Sequence, residues 1–348
     1  MPEWSKVVHE SADAWFWHTR TWLEFVAEVG REYFVDDLSF MIARDNSIVA
    51  VCPLILEARG GYRRFSYLGE YIPFPAFVDD LPDTERSALI EFYVAEIERL
   101  AAEREVGYTR IAVPVLTRRR LAPAVPTLNP LVRFGFAELT WMTQVIDLTC
   151  AEHHLWHGLR KGHRSDVKRA RQDLEVIFWD RECLTPEKFA EYEALHAKDA
   201  GRVTRSKRSF DMMQDWVREG HAVLVEASRA GRPVAFALLL LFGAGAYYGS
   251  SCKDPECASL AASHVIQWES MRWLKARGYC AYDIGVQHFG SQIHHIATEK
   301  DLGIASFKRG FGGRTVPVPT VERFFSNRLF EEQARRRLAS YLAAIGSS

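Results

Sequence analysis

The sequence predicts a mixed, mostly antiparallel α/β protein made of two copies of one fold. Three observations carry this. Short β-branched and aromatic runs, bounded by Asp45-Asn46, Gly60-Gly61 and Gly243-Ala-Gly245 turns, read as hairpin strands. In each half a long amphipathic helix follows the hairpins and leads to a Gly-Tyr step, Gly107-Tyr108 or Gly278-Tyr279, that opens a further strand. Equivalent points lie roughly 170–185 residues apart, a domain-sized repeat rather than a solenoid period.

In the first copy, residues 14–29 form an amphipathic helix with Trp15, Trp22, Phe25 and Val26 on one side, ended by Gly30. Strands follow over 39–43, 48–57 and 64–68, then an irregular loop over 71–81. A helix begins at Thr84, stops at Gly107 and gives way to a strand over 108–115. The basic, Pro-containing segment 118–130 reads as loop. The boundary falls within 139–148. In the second copy, strands over 222–227, 233–242 and 246–251 precede a helix over 261–277 and a strand over 279–285. Residues 321–345 read as a charged amphipathic helix that packs back on a domain. The division is 1–140 for the first domain, with the tail 320–348 assigned back to it, and 141–319 for the second.

Composition excludes several function classes. With 48% hydrophobic and 26% charged residues in 348, the chain has the apolar mass for real cores. A net charge of −1 gives no global nucleic-acid signature, so any phosphate contact comes from a local patch. The six cysteines are scattered without a CxxC pair, as expected of reduced thiols in the cytoplasm. No apolar run approaches the ~20 residues that span a bilayer, so no stable membrane insertion is expected.

The stretch 282–314 organises the rest. Lys308 stands between Phe307 and Arg309 in an apolar, glycine-rich run, which predicts a cation at a sheet edge beside closely approachable backbone. The plainer alternative is a solvated strand-end lysine. Residues 155–174 carry Arg160, Lys161, Arg164 and Lys168 on a helix with an apolar stripe, either a phosphate-attracting patch or a solvated face. Arg202 and Arg205 lie in a basic turn between two helices, suited to bidentate phosphate or carboxylate binding or to plain solvation. His288, His294 and His295 match no zinc spacing; they read as a substrate loop, and no metal is expected. Asp79 and Asp80 could bind an amine or cap the helix at Thr84. GxSxG, Walker and HExxH motifs are absent. Residues 252–260, where an acetyl-CoA pyrophosphate site would sit, offer no row of glycine amides.

At this point the chain resembles a family. The run 141–148, then Leu159-Arg-Lys-x-x-Arg164-x-x-x-Lys168-Arg-Ala, is similar to the entry to the second domain of FemABX-like aminoacyltransferases. Tyr247-Tyr-Gly-Ser-Ser, Ile266-Gln-Trp-Glu, Tyr282-Asp-Ile-Gly and Gly303-Ile-x-x-Phe307-Lys308-x-Gly310-Phe311-Gly312-Gly313 follow in the family's order. The last block is the most specific. The match covers 139–316 well and 1–138 only in general terms.

The resemblance implies two tandem GNAT-like (acyl-CoA N-acyltransferase) domains that move an amino acid from aminoacyl-tRNA to an amine of a peptidoglycan precursor or related small molecule. It implies Lys308 as oxyanion stabiliser with Phe307 lining the same site. Arg202 or Arg205 would hold substrate phosphate, and Asp79 would be a first-domain acid. Tyr248 and Asp283 are further expected substrate contacts, with Arg160, Lys161, Arg164 and Lys168 toward RNA; His288 is expected to contact substrate from its loop, which the resemblance does not cover. No cofactor is expected beyond the aminoacyl-tRNA co-substrate, with acyl-CoA the alternative donor. The chemistry is consistent with this: an aminoacyl ester is already activated, so juxtaposition and a fixed cation suffice without a nucleophilic Ser or Cys.

Overall fold

Among the described residues, seven strands share one sheet, ordered Glu175–Trp179, Ala222–Arg229, Arg232–Phe242, Gly245–Lys253, Ala281–Gln287, Trp141–Asp147 and Arg314–Val318. This computed structural model describes residues 2–122 and 128–346. The first four strands pair antiparallel. The Ala262–Ala276 helix then crosses back, so Gly245–Lys253 and Ala281–Gln287 run parallel. A right-twisted strand feeding such a crossover is the usual way to join parallel neighbours. Leu239, Leu241, Tyr282 and Ile284 from the sheet, with Val265, Trp268 and Met271 from the helix, form the buried core.

The first half repeats the theme. Its main sheet includes, in order, Phe34–Asp37, Ile55–Arg59, Tyr62–Phe65, Val106–Ala112, Thr320–Phe324 and Ala137–Glu138. Here the Asp83–Glu103 helix crosses to make Tyr62–Phe65 and Val106–Ala112 parallel. A smaller sheet holds Phe40–Arg44, Ser47–Cys52 and Ala76–Phe77. Among the described residues, no helix is long and apolar enough to cross a membrane.

Several expectations are corrected. The strand expected over 48–57 breaks at Pro53, which cannot donate to a ladder, and its two parts join different sheets. The helix expected over 14–29 starts only at Arg20, where Thr19 accepts the Trp22 N–H, after a 3₁₀ turn over Phe16–His18. Gly107 does not stop its helix. The chain turns at Glu105, at φ +53°, whereas in the second half Gly278 turns it at φ +83°. Gly107 lies within the next strand, and a Cβ there would meet Leu329 Cδ2 at 2.7 Å. The segment 118–130 opens with a short helix, Arg118–Leu121, and its residues 123–127 lie outside the described ones.

The tail differs most. Thr320–Phe324 is a strand, paired antiparallel with Tyr108 to Ala112 on one side and with Ala137 and Glu138 on the other. The helix follows only from Asn327 to Gly346. By contacts the chain divides into residues 1–142, 287–303 and 317–348 as one unit, and 143–286 with 304–316 as the other. The 287–303 segment, assigned from sequence to the second domain, therefore groups with the first.

Candidate active site

The Phe307-Lys-Arg-Gly-Phe-Gly-Gly313 block ends a helix, Glu299–Arg309, rather than a sheet strand. The signal for this lies upstream. Thr298 Oγ1 accepts the Asp301 N–H and Asp301 Oδ2 accepts the Thr298 N–H, a reciprocal pairing that nucleates a helix N-terminus. The glycines that follow make room. A Cβ on Gly310 would fall 2.1 Å from His163 Nε2, so the imidazole lies directly on that backbone. Gly313 is at φ +76°, and a Cβ there would meet the Val145 carbonyl at 2.4 Å. The Arg160 N–H donates to the Gly310 carbonyl at 2.8 Å, and His163 Nε2 lies 2.9 Å from the Phe307 carbonyl. These bonds hold the last turn of the Lys308 helix in place.

Lys308 is half-buried, and its Nζ lies against Gly285, 2.6 Å from where a Cβ would stand. Gly285 is at φ +99°, which a side chain would strain as well as crowd. Two residues back, the carboxylate of Asp283 is 4% exposed. Its Oδ1 accepts from Thr143 Oγ1 at 2.6 Å and from the Gly285 N–H at 2.7 Å. Burial pushes Asp283 up to about 6, against the pull of Thr143, Gly285 and the Lys308 charge. Burial likewise lowers Lys308, and Asp283 offsets part of that loss.

These groups lie where two parallel strands part. The ladder between Gly245–Lys253 and Ala281–Gln287 runs from Gly245–Ala281 to Tyr247–Asp283 and ends there. On the other side Leu238 pairs with Ser250 and Leu239 with Tyr248, leaving Gly249 as a bulge that bends the strand. Gln267 ties the two strands to the crossing helix. It accepts from the Tyr282 hydroxyl at 2.8 Å, with the Tyr248 hydroxyl nearby.

Residues 158–295 match the model of the acetyltransferase (GNAT) domain. FemX aligns over 95% of this chain and 97% of its own, with a TM-score of 0.67 at 16% identity. The chain has the GNAT-type fold of FemX. The C-terminal domain of a putative lysylphosphatidylglycerol synthetase from Agrobacterium fabrum aligns over 98% of this chain and 95% of its own, with a TM-score of 0.59 at 12% identity. L-PGS from Bacillus licheniformis aligns over 92% and 96%, with a TM-score of 0.57 at 12% identity. No curated protein matches the sequence.

Within this GNAT-type fold the expected site residues separate into groups. Lys308, Phe307 and Asp283 come together with Arg160, whose guanidinium is 3.5 Å from Ser306 Oγ on the Lys308 helix. Asp283 underlies the lysine instead of reaching outward, and the Tyr248 hydroxyl is turned to Gln267.

The basic run 155–174 is two helices, Glu152–Gly158 and Lys161–Asp173, broken at Leu159 and Arg160. Arg164 closes the break by donating to the His157 and Leu159 carbonyls, at 3.1 and 2.6 Å. Lys168 stands over the Trp156 ring, while Lys161 is exposed. Arg202 is exposed in the turn after Gly201, and Arg205 donates to His196 Nε2 at 3.0 Å.

Asp79 accepts the Ala12 N–H at 2.6 Å and pairs with Arg118 at 3.4 Å, so it ties the first unit together. His288 stacks on His295 at 4.4 Å, and Trp141 packs edge-on against His288, His294 and His295. A groove of about 640 Å³ in the first unit, lined by Arg59, Arg63, Arg328 and Glu332 among others, contains none of the expected residues.

Sequence reasoning missed Thr143 and His264 near Lys308, and took His163 only as one more residue of the basic run 155–174. Thr143 meets Asp283 across 140 residues with no local signal. His163 and His264 form an edge-on ring pair, 4.6 Å between centroids, packed with Phe307 and Phe311. Burial, then the neighbouring His163, takes His264 down to about 4, so the pair is uncharged near neutrality. The Gly310 requirement signals close approach, but not which ring approaches.

Proposed function

We propose that this chain is a cytoplasmic aminoacyltransferase that moves an amino acid from aminoacyl-tRNA to an amine of a peptidoglycan precursor or related small molecule. The observation that carries the reading is the Lys308 ammonium, half-buried beside Gly285 where the two parallel strands part. In this reaction the acceptor amine attacks the ester carbonyl and the carbonyl oxygen becomes an anion; the anion collapses to the amide as the acyl C–O bond breaks, and the tRNA ribose oxygen leaves with the proton the amine gives up. A fixed cation beside that oxygen contributes about 3–4 kcal/mol to the transition state. Holding amine and ester together supplies several more. The ester is already activated, so no cofactor is required.

Arg160, 3.5 Å from Ser306 on the Lys308 helix, and exposed Lys161 are our candidates to meet a phosphate backbone, with Arg202 and Arg205 as further ones. The likeness in fold to a lysylphosphatidylglycerol synthetase, by its name an aminoacyl-lipid enzyme, supports aminoacyl chemistry and adds a lipid to the acceptors to be tried.

Acyl-CoA is the alternative donor. The segment before the crossing helix argues against it. Asp254 is buried there, held by Lys198 and Arg232, with Glu256 beside it, where a pyrophosphate would need free amides. Charged tRNA with labelled amino acid, with and without RNase, and labelled acetyl-CoA in parallel, separate the donors. Product that vanishes on RNase treatment, together with loss of at least about a hundredfold in Lys308→Ala at unchanged Tm, is expected. Full turnover in Lys308→Ala would remove the mechanism.

A further inference from the structure

Lysine is an ambiguous choice for an oxyanion stabiliser. Protonated, it attracts the developing charge. Unprotonated, it is an amine within reach of an activated ester and can attack the carbonyl itself. That reaction forms a bond from Nζ to the acyl carbon, breaks the ester C–O bond, passes the amine proton to the departing ribose oxygen, and leaves a neutral amide where the cation stood. Burial favours the dangerous form, because a desolvated ammonium loses its proton more readily. A site of this kind therefore needs a counter-charge that is close, fixed and shielded from substrate.

Asp283 is fixed and shielded, and it is linked to Lys308 through Gly285. Its charge opposes the effect of burial on Lys308, across the Gly285 backbone that lies between them. Its carboxylate is clamped by Thr143 Oγ1 from the neighbouring strand and by the Gly285 N–H from its own. It is 4% exposed, so substrate does not reach it. The Gly285 N–H that holds Asp283 belongs to the residue against which Lys308 Nζ rests, so one stretch of strand backbone meets both groups.

We propose that Asp283 is a positioning residue for Lys308, supplying through the Thr143 and Gly285 clamp the counter-charge that keeps the lysine an electrostatic group and not a nucleophile. The catalytic importance of this arrangement rests on the reading of Lys308 given above. The coupling itself does not.

The test needs no substrate. The protein is labelled with trace acetic anhydride across pH 6 to 11, and acetylation of Lys308 is followed by peptide mass spectrometry, with exposed Lys161 as internal reference. In Asp283→Asn the labelling midpoint of Lys308 is expected to move down by about one pH unit, raising its labelling about tenfold at pH 8 while Lys161 is unchanged. Thr143→Val, which loosens the clamp without removing charge, is expected to shift Lys308 in the same direction by less.

An Asp283→Asn protein that folds with the wild-type Tm and labels Lys308 at the wild-type midpoint overturns the proposal. If Asp283→Asn does not fold, an unshifted midpoint in folded Thr143→Val overturns it instead. A shifted midpoint with full turnover in Lys308→Ala would sink the catalytic reading and leave the coupling standing. An unshifted midpoint with an inactive Lys308→Ala would do the reverse.

Discussion

A carboxylate buried as deeply as that of Asp283 is costly to ionise, and its pH dependence has a definite sign. Its folded value, about 6, lies above the ordinary 3.8. The folded state therefore holds the proton more tightly than the unfolded one. The associated stability is fully present below about pH 4 and is lost as pH rises through 6, by about 3 kcal/mol over the window. Urea unfolding of wild type at pH 4, 5, 6 and 7 should show that decline, and Asp283→Asn should flatten it. Glycine packing is equally specific at this scale. Gly310→Ala would drive a methyl into the His163 ring and should cost about 2–3 kcal/mol in the same assay, whereas Gly231→Ser, where nothing lies within 4 Å, carries only the backbone strain of φ +78°. Of these residues Lys308 was singled out because it stands between an aromatic and an arginine in a glycine-rich apolar run, and its expected role came from the resemblance rather than from the pattern. Asp283 was expected as a substrate contact, and its inward bond to Thr143 was not legible. Nothing in a linear pattern reveals that a strand carboxylate points inward to a threonine 140 positions earlier.

Among the elements, the helix from Asn327 to Gly346 is fastened by one buried ionic group. Glu322 accepts Arg337 through both oxygens, at 2.5 and 2.7 Å, and the Tyr108 hydroxyl at 2.7 Å. Burial opposes the Glu322 charge, but Arg337 and Tyr108 outweigh it and hold the carboxylate below its usual range. Stability from this group is present above the ordinary glutamate range and is lost as pH falls through the depressed value. Glu322→Gln leaves Arg337 without its counter-charge and should cost about 3 kcal/mol, read as a lower Tm at pH 7 and a smaller difference from wild type in acid. The hairpins and crossing helices were readable because periodicity and turn residues agree there with the final pairing. The Lys308 helix was misread because Ile304, Phe307 and the glycines suggest a strand locally, while the deciding signal, Thr298 with Asp301, lies before the run. The tail was misread for the opposite reason. Its charged residues suit a helix, and only pairing with Tyr108 to Ala112 makes Thr320–Phe324 a strand.

At the scale of the whole molecule, the repeat in the sequence correctly indicates two related sheets but not where the chain can be divided. Thr320–Phe324 lies inside the first unit's sheet, between Val106–Ala112 and Ala137–Glu138. A fragment ending at 142 would expose the edge of Val106–Ala112, including Ile111, which is fully buried in the intact protein. Residues 1–142 expressed alone should therefore be aggregated or lack a cooperative melt. Adding residues 317–348 in trans, or fused by a flexible linker, should restore one. A sharp two-state transition for 1–142 alone would contradict this.

That inserted strand also orders events during synthesis. The ribosome releases residues 143–316 before it delivers Thr320–Phe324, so the unit begun first is completed last. Until then its sheet waits with an open slot, and a chaperone that shields exposed strand edges has its natural client in the nascent N-terminal half.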